Sequence, residues 1–182
     1  MNADFTAALH QLHTAIINLQ VPKDGFSATS WSLLLLCFFI VLCYVTGVLS
    51  SNYSQVDKLW SITPWLYIWI WALHKPDNAR LALIAVVTTI WGIRLTLNFN
   101  RRGGYTWPPW EGEEDYRWAW VRKRFQQKEH PLRFELFHIG FICIFQHMLL
   151  FWIAAPTQVV YANPNPTPLG PLDLVSISLS LR

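Results

Sequence analysis

The sequence predicts an all-α protein, a polytopic bundle of transmembrane helices, and three observations support this fold class. Hydrophobic residues make up 53% of the 182-residue chain, whereas only 14% of its residues are charged. Soluble domains usually contain about 25% charged residues. The chain also has 11 tryptophans, a residue that is enriched where membrane proteins meet the bilayer surface. We therefore expect four transmembrane helices and a partial fifth.

Long apolar runs separate the polar parts of the chain, and each run is taken as a helix. Four of them approach or reach the length needed to cross about 30 Å of hydrocarbon. A fifth follows a proline-rich turn and covers only part of that length. The predicted helices are residues 31–49, 59–74, 81–100 and 136–155, with the partial helix at 169–182.

Residues 1–30 are predicted to form an N-terminal segment separate from the membrane domain, which covers residues 31–182. Apolar residues recur there at helical spacing, a pattern typical of an amphipathic helix lying on a membrane surface. His10 and His13 are three positions apart, but no third ligand accompanies them, so we predict no metal site. The three cysteines lie in apolar runs and are interpreted as buried apolar side chains.

The loop from residue 101 to residue 133 indicates the orientation in the membrane. It holds eight of the 14 basic residues, and loops rich in Lys and Arg usually face the cytoplasm. The other short loops then alternate between the two sides, with nine basic residues inside and three outside. The basic residues form no face on a soluble module, so we expect membrane lipids as partners and no nucleic acid.

A polar stripe on the third predicted helix is the sharpest candidate for a site. Its members, spaced i, i+3, i+7 and i+10, are Trp91, Arg94, Asn98 and Arg101. A charge inside a membrane span is costly and normally faces a partner or a wet cavity. Asp57 begins the second predicted helix on the same side, so it is positioned to pair with Arg94. Two interpretations stay open: a polar pocket open to the cytoplasm, or a structural ion pair.

Two further polar groups accompany this stripe. His138 and Gln146 share one side of the fourth predicted helix, where interhelical hydrogen bonds are the favoured interpretation over a cavity lining. Arg101 and Arg102 precede two glycines, a combination suited to close approach to an anion. Attraction to anionic lipids explains the same basic residues equally well. No nucleophile–base arrangement is evident, so no catalytic residues are assigned.

Three sequence blocks resemble those of the DUF1295 membrane proteins, which belong to the steroid 5-alpha-reductase C-terminal-domain-like superfamily. They occur in the order found in that family, and Phe145-Gln146 and the proline-rich turn also fit. The blocks are NYSQVDKLWSITPW at 52–65, WGIRLTLNFNRRGGY at 91–105 and EDYRW at 114–118.

The resemblance implies an NADPH-dependent reductase acting on a C=C bond of a sterol or other lipid, with the cofactor in a cavity open to the cytoplasm. Residues that we interpret as cofactor-binding are Arg94, Asn98, Arg101 and Arg102. Residues that we interpret as lining the pocket are Asp57, Trp60, Trp91, His138 and Gln146.

The chain departs from the superfamily in one respect. The superfamily's nicotinamide-nucleotide site lies mainly in a later segment with an Arg-x-x-Arg-His-Pro-Asn-Tyr type of motif, which this sequence lacks. We therefore expect a truncated form that is catalytically incomplete alone, with a full-length relative or a C-terminal half as partner. Alternatives are a non-catalytic scaffold, a regulatory or degenerate paralogue, or a small transporter using a cavity at Arg94. A eukaryotic source would suggest the endoplasmic reticulum.

Overall fold

A computed structural model describes residues 26–125, 127–164 and 168–180, and these residues form helices joined by loops, without any β-strand. The predicted all-α class is therefore confirmed. The predicted amphipathic helix, with His10 and His13, lies outside the described residues. The division of the chain at residue 30 stays a prediction.

Nine α-helices and one π-helical segment follow one another in the described part of the chain. They are α1 (Ala28–Ser50), α2 (Gln55–Leu59), α3 (Thr63–His74), α4 (Ala79–Arg101), α5 (Tyr116–Arg124), α6 (Pro131–Phe137), the π-helical segment (His138–Phe145), α7 (Gln146–Ala154), α8 (Pro156–Ala162) and α9 (Pro171–Ser180).

Three helices in the described residues are long and apolar enough to cross a membrane. They are α1, α4 and the continuous helix Pro131–Ala154, with 23, 23 and 24 residues. The helix predicted at residues 59–74 is shorter than expected, because a turn after α2 leaves α3 with only 12 residues. Its length is about 18 Å. Pro64 explains the break, since a residue without an N–H is suited to the first turn of a new helix.

Side-chain caps define where two of the long helices begin. The Ser27 hydroxyl accepts the N–H of Ser30 at 3.1 Å, which starts α1. The Asn78 side chain accepts the N–H groups of Arg80 and Leu81, which starts α4. Both caps satisfy N–H groups that have no partner inside the helix.

The helix α3 lies at the centre of the bundle, in contact with α1, α4, α7 and α8. Its Tyr67 and Trp71 are fully buried, and they pack in one apolar cluster with Ala85 of α4 and Ala154 of α7. Small residues at helix contacts allow close approach in membrane proteins. A second apolar cluster, at the other end of α1, includes Cys43 and joins α2, α5 and the π-helical segment.

The C-terminal part of the described chain differs from the expected turn. Residues 156–162 were expected to lie outside the predicted helices, before the proline-rich turn, but they form α8, with Pro156 in its first turn. The partial helix expected at 169–182 is present as α9. Asp173 of α9 is bonded to the Arg80 guanidinium at 3.0 Å, which fixes α9 against the start of α4.

Candidate functional site

A pocket of about 660 Å³ lies at one end of the bundle, between α2, the last turns of α4 and the loop that leads into α5. All three sequence blocks contribute to it. Its lining residues are Ser54, Asp57, Trp60, Ser61, Leu95, Phe99, Arg102, Gly104, Glu113, Glu114, Asp115, Tyr116, Arg117 and Gln146.

Asp57 joins the first block to the third. Its Oδ2 accepts a hydrogen bond from the indole Nε1 of Trp118 at 2.9 Å, and Trp118 is 6% exposed. Burial raises the pKa of the Asp57 carboxyl, while the Trp118 N–H and the charge of Arg117 act in the opposite direction. Asp57 is therefore a carboxyl group in the lining of the pocket whose pKa lies above that of a carboxyl group in water.

Two hydrogen bonds fix the floor of the pocket. Trp60 Nε1 donates to Gln146 Oε1 at 3.2 Å, which links the turn after α2 to α7. The hydroxyl groups of Ser61 and Thr96 are 2.7 Å apart, which links the same turn to α4. Gly92 permits this approach, because a Cβ atom there would lie 2.6 Å from the Ser61 carbonyl oxygen.

The residues from Glu113 to Arg117, called the acidic wall below, form one side of the pocket. Glu114 accepts the backbone N–H of Tyr53 at 2.9 Å and is paired with Arg122. Asp115 accepts two bonds from the Arg117 guanidinium, at 2.8 and 2.7 Å. That guanidinium lowers the pKa of Asp115.

The charges of the pocket bear on whether NADPH fits there. Four lining residues are acidic and two are basic, and Arg117 is already paired with Asp115. Phosphate groups are normally held by surplus cationic or backbone donors. The lining residues therefore do not fit the phosphates of NADPH, although an uncharged polar group would meet several hydrogen-bond acceptors.

The predicted site residues divide into three groups. Those that line the pocket are Asp57, Trp60, Arg102 and Gln146. Others lie in a separate depression of about 480 Å³ on α4, lined by Arg94, Leu95, Leu97, Asn98 and Arg101. Trp91 and His138 line neither of these two cavities.

The pairing of Asp57 with Arg94 is not formed. Asp57 is bonded to Trp118, Arg94 is exposed, and none of the ion pairs among the described residues joins the two. Helical geometry explains the difference, because successive residues point about 100° apart. It is Leu95, rather than Arg94, that reaches the pocket beside α2.

His138 is also placed differently from the expectation. Its side chain is fully buried, with the rings of Tyr44 and Tyr53 packed at 5.3 and 4.6 Å between centroids. Neither ring nitrogen has a hydrogen-bond partner among the described residues. Gly47 makes room for the ring, since a Cβ there would lie 3.0 Å from His138 Nε2.

Several residues in the pocket or bonded to its lining were not assigned to a site from the sequence. Trp118 belongs to the third block, and that block was the signal that could have identified it. Ser54 is uncharged, and its hydroxyl oxygen accepts a hydrogen bond from the Asp115 N–H at 2.8 Å. Asp115 of the acidic wall also caps α5, by accepting the Arg117 N–H.

The fold and the pocket define the class of the molecule: an all-helical membrane protein with a cavity, lined by both polar and apolar residues, at one end of its bundle. The chain belongs to the DUF1295 family, described as a protein of unknown function, whose family model matches residues 43–182.

A relative in Schizosaccharomyces pombe, an uncharacterized protein, is 36% identical over 137 residues. The match covers 73% of this chain but 38% of that protein, so the chain spans well under half the length of this relative. No solved structure matches the chain.

Proposed function

We propose that the chain forms the lipid-binding part of a membrane reductase that uses NADPH to reduce a C=C bond of a sterol or other lipid. The observation that carries the proposal is the convergence of all three DUF1295-like blocks on one pocket. NADPH would supply the hydride in this reaction. Because the pocket does not fit its phosphates, the proposal places them outside the pocket.

The composition of the pocket supports a lipid with a small polar end. Leu95 and Phe99, four positions apart, provide an apolar side on α4. Asp57 and Gln146 provide polar atoms in the same cavity. A hydroxyl or carbonyl group could bond to these atoms while the apolar body follows α4.

We also propose the orientation and location in the cell. The loop 101–133 would face the cytoplasm, because it holds eight basic residues and such loops are retained on that side. The chain would then cross the membrane several times, and the pocket would open towards cytoplasmic NADPH. For a eukaryotic source, the endoplasmic reticulum is the proposed membrane.

A photoactivatable sterol tests the lipid-binding proposal. The purified chain in neutral detergent would be irradiated with a diazirine-bearing sterol, and labelled peptides would be identified by mass spectrometry. We expect labelling at the pocket side of α4 that unlabelled sterol suppresses, and weaker labelling in Phe99→Ala. Leu49→Ala, an exposed apolar position on α1, is the matched control. Labelling spread evenly over α1 and α4 would contradict the proposal.

Titration with NADPH tests the charge argument separately. The tryptophan fluorescence of the same preparation would be followed as NADPH is added, beside the full-length fission-yeast relative. We expect saturable binding by the relative and none by this chain. Saturable binding by this chain that Arg102→Gln abolishes and Arg133→Gln preserves would show that the pocket holds the phosphates after all.

A further inference from the structure

The loop from Tyr105 to Gly112 is held to α2 in an unusual way, through its backbone carbonyl groups. Four consecutive carbonyl oxygens, those of residues 109–112, each accept a hydrogen bond from a side chain between Asn52 and Lys58. Lys58 Nζ donates to Pro109 and Glu111, at 2.9 and 2.6 Å. We call these four carbonyl groups the carbonyl cradle.

The remaining two carbonyls of the cradle are held by neutral amides. Gln55 Nε2 donates to the Trp110 oxygen at 2.7 Å, and Asn52 Nδ2 donates to the Gly112 oxygen at 3.0 Å. The hydroxyl of Tyr105, at the start of the loop, donates to the Lys58 carbonyl oxygen at 2.6 Å. The loop has no regular secondary structure, so these bonds satisfy backbone groups that no helix or sheet would satisfy.

Lys58 is a buried cation without a carboxylate. It is 5% exposed, and none of the ion pairs among the described residues includes it. A buried charge is costly unless its hydrogen bonds are made. Here the two carbonyls and Gln55 Oε1, at 3.4 Å, take the place of water, much as carbonyl oxygens replace the hydration shell of a bound cation.

The cradle leads directly into the acidic wall of the pocket. Glu113 follows Gly112, whose φ of 118° lies in a region that favours glycine. A Cβ atom at Gly112 would lie 3.8 Å from Lys58 Nζ, so the backbone approaches the ammonium group closely where the wall begins. Lys58 Nζ thus lies beside the backbone that continues into Glu113 and Glu114 of the pocket.

We propose that Lys58 is the positioning residue of the pocket: its ammonium group is a built-in cation around which residues 109–112 fold, and the acidic wall depends on it. The proposal rests on the proposed function only in treating the pocket as a substrate site. It also predicts a binding property that is absent while the Lys58 side chain occupies the cradle. With the side chain shortened, the cradle becomes a site for a small alkylammonium ion.

Hydrogen exchange measured by mass spectrometry tests this proposal on the purified chain in neutral detergent, without any substrate. Lys58→Met keeps the apolar stem and removes the charge. We expect the amides of residues 103–117 to exchange at least about tenfold faster, the factor for losing a hydrogen bond to a charged group. Exchange in α1 and α4 should be unchanged. Lys123→Met, at an exposed lysine, is the matched control.

Rescue distinguishes a cation cradle from a general loss of packing. Lys58→Ala would be measured in methylammonium chloride and in tetramethylammonium chloride at equal ionic strength. We expect the small donor ion to restore slow exchange in residues 103–117, and the larger ion, which has no N–H, to have no effect. Equal effects of the two salts would overturn the cradle, and so would faster exchange throughout α1 and α4.

The outcome is independent of the sterol experiment. Slow exchange that depends on Lys58, together with no sterol labelling, would retain the positioning role and remove the lipid-binding proposal. Sterol labelling with unchanged exchange in Lys58→Met would retain lipid binding and remove the role of Lys58.

Discussion

The two ends of the bundle are held together by different forces. Around α3, Tyr67 and Trp71 are buried against side chains of α1, α4 and α7 in an apolar cluster. Around α2, a second apolar cluster that includes Val56 and Trp118 is joined by hydrogen bonds between residues far apart in sequence, such as Asp57 with Trp118. The comparison teaches that apolar packing builds the helical scaffold, whereas polar contacts build the pocket. Substitutions at the two ends should therefore differ in how much stability they remove and in how much of the fold they affect.

The largest effect is expected for Trp71→Ala at the apolar end. Trp71 is fully buried, and removing a buried aromatic side chain costs about 3–5 kcal/mol. Thermal unfolding in detergent should show the loss in every probe of the fold. Trp120→Ala, at a position 66% exposed, is the control. If the loss of stability in Trp71→Ala were confined to the pocket, the two ends of the bundle would be less distinct than their contacts indicate.

A smaller effect is expected for Glu114→Ala at the pocket end. The change removes bonds to the Tyr53 N–H and to Arg122, and bonds to charged groups contribute about 2 kcal/mol. We expect faster hydrogen exchange in residues 112–124 with little change in α3. Glu129→Ala, at an exposed glutamate, serves for comparison. Equal loss of protection in α3 would mean that the pocket and the scaffold unfold as one unit.

Asp57 makes the stability of the folded chain depend on pH. Burial raises its pKa above the ordinary value of 3.8, so the folded chain favours the protonated carboxyl more than the unfolded chain does. Stability from this group is therefore present below the ordinary pKa and is lost as the pH rises through the folded pKa.

Asp57→Asn tests that sign, because an amide keeps an oxygen for the Trp118 N–H but never ionises. We expect Asp57→Asn to unfold at a higher temperature than the natural chain at pH 7, with the difference disappearing below pH of about 4. Asp77→Asn, at an exposed position, should show neither effect. A lower unfolding temperature at pH 7 would mean that the ionised carboxylate stabilises the pocket.

The smallest effect is expected for Arg117→Ala at the rim. The side chain of Arg117 is 61% exposed in its pair with Asp115, and exposed pairs contribute about 0–1 kcal/mol. We expect an unfolding temperature nearly equal to that of Arg124→Ala. A loss as large as that of Glu114→Ala would show that the rim takes part in the polar network.

Hydropathy was sufficient to predict the scaffold, because a bilayer imposes length and apolar composition on every helix that crosses it. It did not predict the shortness of α3, where Pro64 and a turn interrupt an apolar run. The π-helical segment was also not predicted. It lies in an apolar run, and hydropathy does not distinguish one helical hydrogen-bonding pattern from another.

The site was predicted less completely, for a geometric reason. Family-like motifs identified Asp57, Trp60, Arg102 and Gln146, all of which line the pocket. The polar stripe containing Arg94 led to the wrong pairing of Arg94 with Asp57. A sequence pattern shows which residues share a face of a helix, but not which face is packed. The acidic wall depends on bonds between residues about sixty positions apart, and no local pattern predicts those.

The length of α3 has a consequence for how a ligand would enter. α4 has 23 residues, about 34 Å, but the neighbouring α3 extends for only about 18 Å from the shared turn at residues 75–78. The chain then turns at Ser61, bonded to Thr96, which lies about 8 Å before the end of α4. The pocket floor would thus lie below the level of the lipid headgroups. A sterol could enter the cavity laterally from the bilayer, while water-soluble molecules would enter only past Arg117, at the water-exposed edge of the acidic wall.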